Sequence, residues 1–365
     1  MEEIVSARDS LKYRIRAPRR WLGVLRRNSL AKALLGSNSI EGYVLTDEDA
    51  IAAIEGEEPL DAESETWAAI QGYQSAMTYV LGLSDDPHFS YSDGFLRSLH
   101  FMMLQYDLSK HPGRWRPGPI YVRDEQKREI IYEGPDSDFV PDLMKEMMEQ
   151  LDKQPTRPVI IQAAMAHLNL VMVHPFSDGN GRMARCLQTL VLAREGILEP
   201  QFCSIEEYLG RNTQDYYDVL KQVGTGNWSP KNDTRPWIDF CLTAHHRQAT
   251  TLIRRTKELD RMWGELDELI NLRRLPERVI YALADATSGF RVRNATYRKM
   301  AEVTDSMASR DFKQLVDQGL LVPAGEKRGR AYVAGQILKD IRIRTREPRT
   351  PRDEAVLQYL PGLEP

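Results

Sequence analysis

Twelve residues at positions 174–185 concentrate most of the chemistry that this sequence offers. They read His-Pro-Phe-Ser-Asp-Gly-Asn-Gly-Arg-Met-Ala-Arg. His174 is the one group among them that exchanges a proton near neutral pH. Asp178 supplies a hard oxygen ligand of the kind that Mg²⁺ prefers. Arg182 and Arg185 lie one helical turn apart, and their planar guanidinium groups suit neighbouring phosphate oxygens.

The elements on either side of this stretch would hold its side chains in place. An apolar run at Val159–Val173 has no Gly or Pro and predicts a buried helix. A second helix is predicted at Arg182–Arg194. Gly179 and Gly181 flank Asn180, so the backbone between the helices can adopt positive φ and bring bare N–H groups close to a ligand. A helix N-terminus at this point is an anion site.

Each of these features also has an ordinary explanation. A Gly-Asn-Gly sequence is a common turn, a single histidine is usually a structural group, and arginines three apart on a helix usually face solvent. No ordinary loop at the start of a helix needs all of them within twelve residues. Their combination therefore favours a site for a di- or triphosphate beside a proton acceptor.

The stretch resembles the signature of the Fic (filamentation induced by cAMP) family, His-Pro-Phe-x-(Asp/Glu)-Gly-Asn-Gly-Arg-x-x-Arg, at every specified position. The resemblance implies a mainly α-helical fold and the transfer of AMP from ATP to a hydroxyl group of a target protein. On that pattern His174 takes the proton from a Ser, Thr or Tyr hydroxyl. Asp178 binds Mg²⁺, and Asn180 with the glycine backbone holds the α-phosphate.

The same resemblance assigns the remaining motif residues. Arg182 and Arg185 would hold the β- and γ-phosphates, and Phe176 would anchor the loop in the core. Relatives that phosphorylate their targets depart from the pattern at the second glycine. Gly181 is intact here, which favours AMP transfer.

A second short stretch, Ser37 to Gly42, carries a further expectation. From spacing alone, Ser37 and Glu41 share one face of a helix that Gly42 can end, which is an ordinary helix terminus. Many Fic relatives carry a (Ser/Thr)-x-x-x-Glu-(Gly/Asn) inhibitory helix, and this stretch resembles it. The resemblance implies that Glu41 pairs with Arg185 and keeps that arginine from the γ-phosphate.

Two further regions acquire roles from the resemblance. β-Rich runs at 120–122 and 130–132 predict a hairpin, which is an ordinary surface feature or, as in Fic proteins, a flap that aligns the target by main-chain hydrogen bonds. A single helix is predicted from Glu206 through Leu220, and its Tyr216 and Tyr217 occupy a position like the family's adenine site. Core packing is the alternative for at least one of these rings.

Composition sets the broad class of the protein. The chain has 365 residues, 42% hydrophobic and 28% charged, typical of a globular protein with more than one domain. Three scattered cysteines indicate neither a zinc site nor a disulfide framework. No run is long and apolar enough to span a membrane, and no signal-peptide core follows the N-terminus, so we expect a cytoplasmic protein without a membrane partner.

The charge is distributed unevenly along the chain. The net charge is −4, yet residues 273–352 carry 18 Lys and Arg against 9 Asp and Glu, a balance of +9. A pattern of three short helices and two strands in this region resembles the winged helix-turn-helix unit of some bacterial Fic proteins. We expect DNA contacts through 306–333, with Arg310 and Lys313 facing outward, or docking of protein or dimerisation instead. Asp311 and Asp317 are expected to dilute this basic face.

These patterns predict five regions. They are an N-terminal helical region at 1–93 with the inhibitory helix at 37–42, a Fic core at 94–228, a helical connector or dimer surface at 229–272, a winged helix-turn-helix domain at 273–345 and a tail at 346–365. The predicted function is AMP transfer from Mg·ATP to a protein, restrained by Glu41. The alternatives are a nucleotide-sensing DNA-binding regulator and an enzyme that removes AMP at the same site.

Overall fold

The computed structural model describes residues 1–16, 19–43, 46–55, 64–124, 129–153, 157–325 and 331–347. It is mainly α-helical, with two small antiparallel sheets, as predicted. The helices within these ranges are α1 Glu2–Arg16, α2 Leu22–Ile40, α3 Asp47–Glu55, α4 Ser64–Gly82, α5 Asp93–Leu104, α6 Val140–Asp152, α7 Val159–Val173, α8 Asn180–Ala193, α9 Glu206–Arg211, α10 Thr213–Gly224, α11 Arg235–Arg273, α12 Ile280–Ser288, α13 Asn294–Ala301, α14 Asp305–Asp317 and α15 Gln336–Thr345. The strands are β1 Tyr121–Asp124, β2 Glu129–Glu133, β3 Leu321–Ala324 and β4 Ala331–Ala334.

Contacts within the chain divide it into two units. The first consists of Met1–Pro18 and Arg26–Ala249, and the second of Arg19–Leu25 and Thr250–Pro365. All residues predicted to take part in catalysis, nucleotide binding or inhibition lie in the first unit. The five predicted regions remain a prediction, and the tail beyond residue 347 lies outside the described residues.

Helices α7 and α8 form the central pair of the first unit. The apolar run predicted as a helix at Val159–Val173 is confirmed over the same residues. Almost every side chain of α8 is buried, including Leu187 and Leu190 at 0% exposure. Full burial of one leucine contributes about 1.5–3 kcal/mol. The two helices therefore give the loop between them a rigid support.

Other helices pack around this pair. Helix α4 packs against both α5 and α8, and α6 packs against α7. On the other side, Trp237 of α11 is completely buried, and its indole N–H donates to the carbonyl oxygen of Ala164 in α7 at 2.7 Å. This hydrogen bond satisfies the one polar atom of a side chain that would otherwise be costly to bury.

The predicted hairpin is present. Strands β1 and β2 pair antiparallel, and the register shifts between Val122 and Arg123. Residues 125–128, between the two strands in the chain, lie outside the described residues. At the base of the hairpin, Glu133 donates its N–H to Gly226 and accepts from the N–H of Trp228, both at 2.9 Å. These bonds fix the base of the hairpin to the segment that follows α10.

Two predicted helices have different boundaries in the structure. Helix α8 begins at Asn180 and not at Arg182, because Gly179 adopts φ 79° and ends the loop earlier. The helix predicted from Glu206 through Leu220 is two helices, because Asn212 leaves helical geometry at φ −126° and ψ 43°. Helix α11 continues through Gly264 as one helix, since one interior glycine costs a helix only about 1 kcal/mol.

In the second unit, helices α12–α14 are followed by the antiparallel strands β3 and β4 and by α15. Helix α14 exposes Arg310 and Lys313, as predicted. The expectation for Asp311 was wrong: this carboxylate is buried and accepts hydrogen bonds from Arg278 and Tyr297 at 2.7–2.8 Å. It therefore does not dilute the basic face, whereas Asp317 is exposed. The winged-helix assignment and the DNA contacts stay predictions.

Candidate active site

His174 ends helix α7. Its backbone adopts φ 52°, and its N–H donates to the carbonyl oxygen of Leu170. The ring nitrogen Nδ1 lies 3.2 Å from the carbonyl oxygen of Val171, which can only accept, so Nδ1 carries the proton. Burial lowers the pKa of His174 and outweighs the opposing effects of Val171 and Glu41. The imidazole is therefore neutral near pH 7, and its Nε2 lone pair is available to accept a proton.

Arg116 holds the backbone of His174, and sequence reasoning did not identify it. Its Nε donates to the carbonyl oxygen of His174 at 2.8 Å, and its backbone N–H donates to that of Pro175 at 2.9 Å. Its two other guanidinium nitrogens donate to the carbonyls of Gly118 and Pro135 on either side of the hairpin. The side chain is buried at 4% exposure. Arg116 thus ties the loop of the candidate base to both ends of the hairpin.

The loop itself is closed by Asn180 and Phe176. The Asn180 side chain accepts from the backbone N–H of Phe176 at 2.9 Å and donates to its carbonyl oxygen at 2.8 Å. The Phe176 ring is fully buried and stacks on His100, with centroids 3.7 Å apart and planes 5° from parallel. The Asn180 side chain is therefore engaged in bracing the loop, while its backbone N–H stands in the first turn of α8.

The N-terminus of α8 has the geometry of an anion site. Gly179 occupies the cap position, and no side chain caps the helix. A Cβ on Gly181 would lie 2.6 Å from Oε1 of Glu41 and 3.1 Å from Nη1 of Arg185, so a larger residue there would displace the ends of these two side chains. The first N–H groups of a helix lack intrahelical acceptors and carry a partial positive charge.

Arg182 and Arg185 are both buried at 1% exposure. Within the described residues, Nε and Nη1 of Arg182 and Nη1 of Arg185 have no hydrogen-bond partner. The guanidinium of Arg182 lies 5.5 Å from the ring centre of Tyr43 and makes only a long ion pair, 3.8 Å, with Asp178. Buried charged donors without acceptors are costly, and an oxygen-rich anion would satisfy them.

Asp178 lies beside these guanidinium groups. Its Oδ2 is 3.2 Å from Nζ of Lys110, and its Oδ1 accepts the N–H of Gly179 at 2.6 Å. Burial would raise the pKa of Asp178, but Arg182 and Lys110 outweigh it and hold the pKa below its ordinary value. The side chain is 37% exposed. A charged, accessible carboxylate next to an anion site fits a Mg²⁺ ion shared with phosphates.

A metal held by protein side chains alone is not indicated. Among the residues that the structure describes, no group of three or more His, Cys, Asp or Glu side chains is arranged to bind an ion. A Mg²⁺ ion at Asp178 would therefore take its other ligands from water and from the phosphates of its substrate.

The segment Ser37–Gly42 lies on Arg185. The Arg185 side chain donates from Nε to the hydroxyl of Ser37 at 2.7 Å and from Nη2 to Oε1 of Glu41 at 2.7 Å. Glu41 directly follows α2, and Gly42 turns the chain with φ 84°. The expected pairing of Glu41 with Arg185 is thus present. The Glu41 carboxylate engages Nη2 of Arg185, in the same guanidinium group whose Nη1 lies near Gly181.

The two neighbouring tyrosines have different environments. Tyr216 is 2% exposed, and its hydroxyl lies 3.0 Å from Nε2 of His167 in the core. Tyr217 is 46% exposed, and its hydroxyl donates to the carbonyl oxygen of Ile40. Only Tyr217 therefore presents a ring to a ligand, and the assignment of this pair to adenine stays a prediction.

A buried carboxylate behind the site was not identified from the sequence. Glu206 is 1% exposed, and its Oε2 accepts from the hydroxyl of Tyr73 at 2.6 Å. Burial raises the pKa of Glu206 to about 7, while Tyr73, Arg185 and Ser37 oppose the rise. Glu206 also interacts with Ser37, the serine that contacts Arg185. Because Glu206 is distant in the chain from both Tyr73 and Ser37, no spacing pattern predicts these contacts.

Comparison with known proteins agrees with this geometry. Residues 91–192 match the family model described as the Fic/DOC family. The protein adenylyltransferase Fic of Nematostella vectensis is 27% identical over 252 residues, which are 63% of this chain and 53% of that protein. The protein adenylyltransferase fic-1 of Caenorhabditis elegans is 33% identical over 115 residues, which are 31% of this chain and 20% of that protein. The chain thus spans about half or less of these curated relatives.

Solved structures show the same fold. A Fic family protein from Desulfovibrio desulfuricans G20 superposes with a TM-score of 0.56 at 20% identity, covering 92% of this chain and 97% of that chain. Fic-1 from C. elegans gives a TM-score of 0.55 at 22% identity, covering 69% of this chain and 71% of that chain. In the part of the chain that the structure describes, no helix combines the length and the apolar character needed to cross a bilayer.

Proposed function

We propose that this chain, which carries a Fic/DOC family domain at residues 91–192, transfers AMP from ATP to a hydroxyl group of a protein. The observation that carries the proposal is the set of guanidinium N–H groups on Arg182 and Arg185 that have no partner in the part of the chain that the structure describes. They are buried in the N-terminal half of α8, and the neutral imidazole of His174 stands at the start of the loop that leads into this helix. Such a site needs an anion with several oxygens, and a triphosphate supplies one.

Each residue has a separate task in the proposed reaction. The N–H groups of the first turn of α8 bind the α-phosphate, and Arg182 and Arg185 bind the phosphates beyond it. Nε2 of His174 accepts the proton of the attacking hydroxyl while the hydroxyl oxygen forms a bond to the α-phosphorus. The bond between the α-phosphorus and the bridging oxygen breaks, and pyrophosphate leaves. Asp178 would hold Mg²⁺, which neutralises phosphate charge when bound.

The hairpin is the proposed docking site for the target. The N–H and the carbonyl oxygen of Glu133 in β2 already bond to residues 226–228. The outer edge of β1, at residues 121–124, is therefore the edge that we assign to an extended target segment. Arg116 connects both ends of this hairpin to the backbone of His174, which would align the docked hydroxyl with the base.

Glu41 is the proposed inhibitor. Its carboxylate binds Arg185 and lies directly over Gly181, so it occupies the place where a phosphate oxygen would approach. ATP would then bind with its α-phosphate displaced from the line of attack. A small error in position at the reacting centre costs about 10²-fold in rate.

Incubation of the protein with ATP labelled on the α-phosphate tests the proposed activity. We expect label on protein, more of it with Glu41→Gly, and at least about 10²-fold less with His174→Ala. ATP labelled on the γ-phosphate is the control, because it labels protein only if a phosphoryl group is transferred. Label from the γ-position, or none from the α-position with Glu41→Gly, would contradict AMP transfer.

A further inference from the structure

Lys110 is a second cation at the carboxylate of Asp178, and nothing in the proposed reaction uses it. Its ammonium group lies 3.2 Å from Oδ2 of Asp178, 3.3 Å from the hydroxyl of Tyr106 and 3.4 Å from that of Tyr43. An ammonium has three N–H donors, and here each has one oxygen to bond. The side chain is only 20% exposed, so it is held at this position and does not extend into solvent.

We propose that Lys110 competes with Mg²⁺ for Asp178 and links metal binding to the inhibitory segment through Tyr43. The inference rests on the proposed function, since it concerns the metal that accompanies the bound triphosphate. It assigns to Lys110 a regulatory role and not a place in the chemical step.

Both carboxylate oxygens of Asp178 already have partners. Its Oδ1 already accepts the N–H of Gly179, and Arg182 approaches the same oxygen at 3.8 Å. Its Oδ2 is taken by Lys110. Mg²⁺ binds a carboxylate oxygen at about 2.0–2.1 Å and keeps a rigid octahedral shell. A metal ion at Oδ2 and the ammonium at its present position would repel each other at close range, so one must give way.

Lys110 also contacts Tyr43, a residue next to the inhibitory segment. Tyr43 immediately follows Glu41-Gly42, and its hydroxyl contacts both Lys110 and the hydroxyl of Tyr106. Its ring also lies against the guanidinium of Arg182. Displacement of Lys110 from Asp178 therefore disturbs one of the contacts that fix the chain directly after the inhibitory glutamate. By thermodynamic linkage, any interaction that stabilises the segment at Tyr43 lowers the affinity for Mg²⁺ by the same factor by which Mg²⁺ destabilises the segment.

Titration calorimetry with α,β-methylene-ATP tests the proposal without turnover, because the bond that AMP transfer breaks is replaced. The dissociation constant is measured with and without Mg²⁺, and the ratio of the two values is the gain in affinity due to the metal. We expect Lys110→Met to raise this ratio about tenfold over the wild type, a change of about 1.4 kcal/mol. Methionine keeps the length of the side chain and removes its charge.

Two matched variants make the experiment specific. Lys110→Arg keeps the positive charge and should leave the ratio within about twofold of the wild type. Tyr43→Phe removes one acceptor of the ammonium and should raise the ratio by about two- to threefold, because Lys110 is then held less firmly. All measurements are repeated with Glu41→Gly, so that inhibition at Arg185 does not conceal binding.

Each outcome decides one question. An unchanged or lower ratio for Lys110→Met, with nucleotide bound, overturns the competition and leaves the proposed function in place. A loss of affinity that is equal with and without Mg²⁺ identifies Lys110 as a direct phosphate ligand and also overturns it. Absence of nucleotide binding in the wild type and in Glu41→Gly alike overturns the proposed function and this inference together.

Discussion

Replacement of Glu41 by glycine removes the carboxylate that pairs with Arg185 beside Gly181 in the first turn of α8. The hydrogen bond is 2.7 Å long, the arginine is 1% exposed and the glutamate side chain 25% exposed. A hydrogen bond between charged groups in such surroundings contributes about 1.5–3 kcal/mol. Its loss should shift the equilibrium from the inhibited to the productive nucleotide position by about ten- to a hundredfold.

The increase should appear in kcat more than in KM, because the inhibited protein still binds ATP and only misplaces its α-phosphate. The assay is self-modification by α-labelled ATP, measured as an initial rate over a range of Mg·ATP concentrations. Glu41→Gln keeps the size of the side chain and a neutral hydrogen bond, so we expect an intermediate rate. Ser37→Ala removes the second contact with Arg185 and should activate less than Glu41→Gly.

Equal rates for wild type and Glu41→Gly at saturating Mg·ATP would refute inhibition by Glu41. So would activation by Glu41→Gly that is confined to KM, because the glutamate would then exclude the nucleotide and not misalign it. Circular dichroism and melting temperatures of all variants show whether a change in rate reflects a change in folding.

His174→Ala should lower the rate of AMP transfer by about 10²- to 10⁴-fold, which is the range for loss of a general base. Its calorimetric affinity for α,β-methylene-ATP should stay within a few-fold of the wild type. A rate within about fivefold of the wild type would show that His174 is not the base. Stability should fall as pH falls from about 6.5, because burial lowers the pKa of His100 to about 4 and those of His167 and His245 to about 3. The unfolded chain then binds more protons than the folded one. Each of these histidines therefore lowers the free energy of unfolding as the pH falls from its pKa in the unfolded chain towards its pKa in the folded chain. Glu206 acts in the opposite direction, since burial raises its pKa to about 7 and its protonation in the folded state offsets part of the loss. Urea unfolding at pH 7.5, 6.0 and 5.0 measures the balance, and a free energy of unfolding that rises towards pH 5 would contradict it.

The sequence identified the loop residues of this site because they are neighbours in the chain. His174, Asp178 and the two arginines occupy fixed offsets from a helix start, and local geometry alone brings such residues together. The apolar run before them could be recognised as a helix from its length and composition. The pairing of Glu41 with Arg185 required the family resemblance, because 144 positions separate the two residues and no local rule connects them.

Other parts of the site could not be read from the sequence for the same reason. Arg116 bonds to backbone carbonyls, and any carbonyl is chemically the same, so no residue type signals the contact. His100 is a buried structural histidine whose partners could not be predicted: Nδ1 accepts the N–H of Gly113, which leaves Nε2–H to donate to the carbonyl oxygen of Asp178. Glu206 and Lys110 depend on tertiary packing that brings distant segments together.

Helix boundaries also depended on geometry that composition does not encode. Gly179 is a turn residue in the sequence and the cap of α8 in the structure, because its φ of 79° places the next residue in the helix. Asp311 appeared as a surface charge by helical spacing. The fold instead gives it Arg278 and Tyr297 as partners, so it is buried and paired. An ion pair between residues so far apart in the chain can be recognised only from the three-dimensional structure.

Intact-protein mass spectrometry of Glu41→Gly after incubation with Mg·ATP tests AMP transfer most directly. We expect a gain in mass equal to one or more AMP groups, formed at least about 10²-fold more slowly when His174→Ala is added. A gain in mass equal to phosphate, or AMP attachment at an undiminished rate without the imidazole, would contradict AMP transfer by His174.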